Sequence, residues 1–301
     1  MGIRRICAQG LATLALAMLA APAAQAAPAA IDLFYQRALM SAANAACRLF
    51  APDVATALTA SELQARGAAL RSGADPAALA QVQAKAAADV QADGCGSSSI
   101  AAAAAQVRSG FDGYAHLQQM PFPGDGGVWT AERAPTDGVA HWRVTQSQRF
   151  GWDSLRFGVV GNGGARFLMA AASFADGAQP YGARLVLRDV TATSGPFLDV
   201  RLADADGRIP LDGRLPPRMS TVSFNAEAMS PAGKDLASGM APAFVFRFPA
   251  ASLAAMQSLD PRESVAVEFL FAGDNDDEVR TAYVDVGDFA AADAFQAIAQ
   301  R

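Results

Sequence analysis

The chain has 301 residues, 52% of them hydrophobic, with 24 basic side chains against 29 acidic and a formal charge of −5. That much apolar material excludes a disordered chain and is enough for one large domain or two ordinary ones. The acidic balance excludes nucleic acid as a partner, because backbone recognition needs clustered cations and the only lysines are Lys85 and Lys234.

Arg4 and Arg5 make a short basic start, an apolar stretch runs from Leu11 to Ala21, and Ala24-Gln25-Ala26 gives a small-x-small exit. Charge, apolar core and small exit in that order predict a secretory signal peptide over residues 1–26, cut between Ala26 and Ala27. The apolar run falls short of the roughly 20 residues that span a bilayer. No second run of that kind follows, so no transmembrane segment is expected in the mature chain, which is placed in the bacterial periplasm or secreted.

Cleavage discards Cys7 and leaves Cys47 and Cys95, a pair expected to bridge in an oxidising compartment. In the chain-entropy picture the closed loop is worth about 4 kcal/mol. A redox pair would want C-x-x-C spacing or a basic neighbour, and a zinc site would have only His116 and His141 to add to these thiols.

Residues 27–119 carry a helical pattern. A first helix is expected from about Ile31 to Phe50. Thr59-Ala60-Ser61-Glu62 matches a capping box leading into a second, with Gly73 as its stop. Asp75-Pro76 opens a third with Leu79, Val82, Ala86 and Val90 on one face, and Ser97 to Ser99 begin a fourth with the stripe Ile100, Ala104, Val107, Phe111 and Tyr114. The result is a bundle of four short helices stapled by the cysteines.

Beyond a loop formed by Pro121, Pro123, Gly124, Gly126 and Gly127, residues 120–301 alternate with period two. Strands are expected at 141–146, 155–160, 165–172, 184–190, 197–202, 221–224, 243–248, 265–271 and 279–286, several of them joined by turns such as Gly161-Asn162-Gly163-Gly164 and Asp204-Ala205-Asp206-Gly207. In the first, Trp142 and Val144 share one face. A helical insertion from Ala250 to Leu259 and a C-terminal helix capped by Asp288 complete the pattern. The fold class is α+β: a helical bundle followed by an antiparallel β-sandwich or open barrel.

No constellation announces an activity. There is no G-x-S-x-G elbow, no phosphate loop and no dinucleotide fingerprint, and no cofactor is implied. Trp129, Trp142 and Trp152 with Arg143 are the candidate ligand-binding residues, since aromatic faces stack on sugars or anchor a partner and a guanidinium pairs with an anion. Asp274, Asp276, Asp277 and Glu278 are the candidate cation ligands, crowded oxygens on one segment, although acidic turn formers between two strands have the same look. The expectation is an exported, non-enzymatic protein whose β-rich domain binds an envelope protein or a small ligand while the bundle serves as scaffold. The alternative is an envelope hydrolase using two carboxylates, which a cleft holding convergent acids with displaced pKa values would favour.

Overall fold

The computed structural model describes residues 26–133, 138–162, 164–240, 242–273 and 276–298. The leader therefore lies outside the described residues, save for Ala26 at its end, where the first helix begins.

Four helices come first: α1 (Ala26–Cys47), α2 (Pro52–Arg71), α3 (Pro76–Asp93) and α4 (Ser98–Ala115). A proline in the first turn opens both α2 and α3, where the missing N–H has no helical partner to lose. Asp75 caps α3 by accepting from the Ala77 N–H at 2.9 Å. The capping box expected at Thr59–Glu62 is not a helix start. Pro52 and Asp53 begin α2 well before it, and the Thr59 hydroxyl donates back to the Ala55 carbonyl at 3.1 Å within an unbroken helix. α1 also ends earlier than the expected Phe50. Arg48 turns to a φ of +53°, and Asn44 Oδ1 accepts from the Phe50 N–H at 3.0 Å. The disulfide between Cys47 and Cys95, with Cα atoms 5.6 Å apart, ties this end of α1 to the loop between α3 and α4.

The second half is antiparallel. One sheet has the spatial order β1 (Gln119–Pro123), β2 (Val128–Glu132), β3 (His141–Phe150), β4 (Asp153–Asn162), β5 (Ala165–Ser173), β9 (Phe244–Arg247) and β8 (Ala228–Pro231). The other runs β11 (Glu278–Asp285), β10 (Ser264–Phe271), β6 (Gly182–Arg188) and β7 (Thr221–Asn225). Both contribute to one core, Leu155, Phe157 and Phe246 from the first meeting Leu185, Val267 and Phe269 from the second. The Phe246 and Phe269 rings lie 5.4 Å apart, so the arrangement is a sandwich. α5 (Ala250–Gln257) adds Met256 to this core, and α6 (Phe289–Gln296) adds Phe289, Ala292 and Phe295. Ile298, just beyond α6, packs with Val54, Ala57 and Phe111 of the helices, which joins the two halves.

Three segments depart from the alternation. Pro121 and Pro123 lie in β1 rather than a loop, which is tolerated because β1 is an edge strand and needs donors on one side only. Residues 197–202 form no strand: Asp199 accepts from the Arg201 backbone N–H and from its guanidinium, and this local bonding holds a 3-10 turn at Val200–Leu202. The register between β3 and β4 shifts between Trp142 and Val144. The bulge sends Trp142 to a small outer cluster with Val160 and Val245 while Val144 enters the core, so the two do not share a face.

Candidate functional site

α1 packs closely on α2 and α3, whereas α4 meets α1 and α2 sparsely. The reason lies in its sequence: Ala103 and Gly110 stand where α4 faces them and are too small to fill the gap. A cavity of about 620 Å³ results, walled by Leu39 and Met40 of α1, Leu58 of α2 and Val107, Phe111 and Tyr114 of α4, with Met120 of β1 at one end. That volume falls in the range of small-molecule sites, as does the mixture of an apolar body with a few polar groups. Gln36, Arg37, Ser61, Gln64 and Gln106 supply the polar groups. Their side chains make no hydrogen bond to protein among the described residues, so amides, a hydroxyl and one guanidinium are unspent. Burial pushes the Tyr114 phenol up to about 12, so it is neutral and a donor at physiological pH.

A second polar assembly lies where α2 meets the β half. Arg71, in the last turn of α2, holds Asp288 at the start of α6 with two hydrogen bonds of 2.6 and 2.8 Å. Asp288 thus faces a guanidinium and makes no side-chain cap to its own helix. Its carboxyl is raised by burial, against the pull of Arg71. Asp285, at the end of β11, accepts from the Gly126 N–H at 2.5 Å and the Gly287 N–H at 3.2 Å, with Arg214 at 4.0 Å. Burial raises it to about 6. These are convergent carboxylates with displaced pKa values, but at 0% and 3% exposure neither Asp285 nor Asp288 can meet a substrate. Their chemistry is that of a buried joint.

No known protein family, curated protein or solved structure matches this chain. Its function has to come from its own geometry.

The four candidate ligand-binding residues fall in different places. Trp129 is wholly buried in the sandwich core, its indole N–H donating to the carbonyls of Asp285 and Val286 at 3.1 and 2.9 Å. Trp142 donates to the Leu236 carbonyl at 2.9 Å on the outer face of the larger sheet. Arg143 is buried at the bulge, with Nε donating to the Gly161 carbonyl. Trp152 projects from the β3–β4 turn and is 92% exposed. In the acidic segment, Asp274 lies outside the described residues, Asp277 accepts from the Tyr181 hydroxyl and Glu278 pairs with Arg280 at 2.8 Å. Among the described residues no group of three or more His, Cys, Asp or Glu is placed to hold a metal ion. The cavity residues carry one sequence signal, glutamines placed among alanines on helices of otherwise apolar stripe, and Arg71 carries none.

Proposed function

We propose that this chain is an exported binding protein that holds a small amphiphile between α1, α2 and α4, with the β-sandwich as its frame. The observation that carries the reading is the 620 Å³ cavity, in which apolar walls converge with a guanidinium and three amides that make no hydrogen bond to protein among the described residues. Arg37 suits an anionic or strongly accepting head group, and Leu39, Met40, Leu58, Val107 and Phe111 suit the apolar body. The bacterial periplasm or the extracellular space is the proposed location. The leader pattern of residues 1–26 supports it. So does the Cys47–Cys95 bridge, a bond that persists in oxidising compartments, and among the described residues no helix is long and apolar enough to cross a membrane.

Two fluorescent amphiphiles test the reading: anilinonaphthalene sulfonate, which is anionic, and N-phenyl-1-naphthylamine, which is neutral. Both are expected to brighten on binding. Gly110 lines the cavity and a Cβ there meets nothing within 4 Å, so Gly110→Trp is expected to occupy the space and abolish both signals. Arg37→Gln is expected to weaken the sulfonate about threefold or more and leave the neutral dye unchanged. Retention of both dyes by a folded Gly110→Trp protein would end the assignment.

A further inference from the structure

The outer face of the four-stranded sheet carries many polar side chains beside the apolar Val186, Ala266 and Leu270. Side chains that alternate with the core residues, Arg184 and Arg188 on β6, Ser264 and Glu268 on β10, Thr281 and Tyr283 on β11, all point the same way. Such a face is normally left to water. Here the connection 189–220 between β6 and β7 covers it as a roof. The connection is long and carries only short 3-10 turns, at Val200–Leu202, Leu211–Arg214 and Arg218–Ser220, and connections of that length tend to be functional. The roof is pinned near its start and along its length: Arg188 binds Glu263 with two hydrogen bonds and Thr193 with a third, Ser264 donates to the Leu211 carbonyl, and the Asp189 N–H donates to the Ser220 carbonyl to close its two ends. Between roof and sheet is a cavity of about 480 Å³ lined by Phe197, Asp212, Pro216, Arg218, Glu268 and Tyr283 among others. An adjoining space of about 380 Å³ shares Phe197, Pro216 and Pro217 with it.

We propose that this roofed cavity is a second ligand site and that it takes a small neutral polyhydroxylated molecule, a sugar of one or two rings. Stability does not explain the polar lining, because Arg201 and Arg218 are largely exposed and ion pairs of that kind contribute little. The charges about it balance, Asp199, Asp212 and Glu268 against Arg184, Arg201 and Arg218. Glu268 accepts from Arg184 on one oxygen and from Arg218 at 3.1 Å on the other, and Asp199 is paired to Arg201 with hydrogen bonds of 2.8 and 2.7 Å. A charged ligand gains little from such a field, and a zwitterion would have to split Arg218 from Glu268. What remains is a fixed array of donors and acceptors. The Asp212 carboxylate and the Tyr283 hydroxyl make no side-chain hydrogen bond among the described residues. One accepts from a sugar hydroxyl and the other donates to or accepts from its neighbour. Phe197 and the two prolines give flat apolar surfaces for the C–H face of a ring, and the adjoining space has room for the second.

The site is separate from the helical cavity, so the two readings fail independently. The test is saturation-transfer NMR on the purified full chain with maltose and N-acetylglucosamine, and with phosphate and arginine as the charged probes. Transfer to at least one sugar is expected. Asp212→Asn with Tyr283→Phe removes an exposed charge and one oxygen, changes that keep the fold, and is expected to weaken that sugar about tenfold, as loss of two hydrogen bonds would. Gly110→Trp is expected to leave it unchanged. Absence of any sugar signal, a signal indifferent to the double substitution, or binding of phosphate or arginine in place of the sugars would overturn the proposal.

Discussion

Asp285→Asn should flatten the pH dependence of stability on the acidic side of neutrality. The Asp285 carboxyl moves from an ordinary 3.8 to about 6, driven first by burial, and the N–H groups of Gly126 and Gly287 and the Arg214 guanidinium only partly offset it. Because the folded state takes up this proton more readily than the unfolded chain, the group's contribution is full below about pH 4 and is lost as the pH climbs through about 6. At 1.36 kcal/mol per pKa unit the change is worth at most about 3 kcal/mol. Asp288 and Asp293 are also raised by burial and act in the same direction. The carboxylates held low by partners act on the other side: Asp176, brought to about 2 by Arg280, stabilises above its unfolded pKa and is lost only as the pH falls further. The interval between about pH 4 and pH 7 therefore isolates the buried acids. Urea midpoints followed by tryptophan fluorescence across that interval should fall with rising pH in the parent chain and fall less in Asp285→Asn. Equal slopes in the two proteins, or a parent that gains stability over the same range, would refute the assignment.

Three further outcomes follow from the structure. A Cβ on Gly67 would sit 2.0 Å from Asp288 Oδ1, so Gly67→Ala should lower the thermal midpoint although alanine is the better helix former; Arg71→Ala, which strands Asp288 without its partner, should cost about 3–5 kcal/mol, mostly recovered in Arg71→Met with Asp288→Leu. Cys47→Ser with Cys95→Ser opens a loop of sequence separation 48 and should cost about 4 kcal/mol, read as a drop in thermal midpoint that reductant reproduces in the parent chain.

Where one local rule settles an element, the sequence is enough to place it. Asp75-Pro76 starts α3, β4 pairs antiparallel with β5 as far as Asn162 and Ala165, and the stripe from Ile100 to Tyr114 lies along α4. The cysteine pair could be inferred because the expected leader reading left only two to pair. The misplaced elements are those decided by a neighbour. Pro121 and Pro123 are acceptable in a strand only because β1 is an edge, which is a property of the sheet. β8 is exposed along its whole length and carries no alternation to read. The bulge beside Arg143 adds one residue to one strand and reverses the faces of Trp142 and Val144, a change that period-two counting cannot detect. The helical cavity was hidden for a related reason: an alanine-rich stripe specifies a helix but says little about how near the next one comes. The Arg71–Asp288 contact joins residues 217 positions apart, and no spacing announces it.

The cavity between α1, α2 and α4 is also a property of the whole chain rather than of the helices. Tyr114 forms part of its wall, and residues of the β half hold that ring in place. Arg133 lies over it at 5.0 Å and over the Phe295 ring at 3.6 Å, while donating to the carbonyls of Tyr114 and Phe295 at 3.2 and 2.9 Å. Tyr114 and Phe295 also meet edge to face at 5.2 Å, and Met120 adds a wall from β1. A ligand in this space touches groups whose positions are set from both sides of the junction, so its binding free energy stabilises the docked arrangement of α4 and α6, about 2.7 kcal/mol at a hundredfold excess over Kd. The costly buried acids beside α2 then have a physical setting. Asp288 ties α2 to the β half by two directional hydrogen bonds from Arg71, while Asp285 holds the Gly126 backbone beside it, and that placement is what gives the cavity its shape.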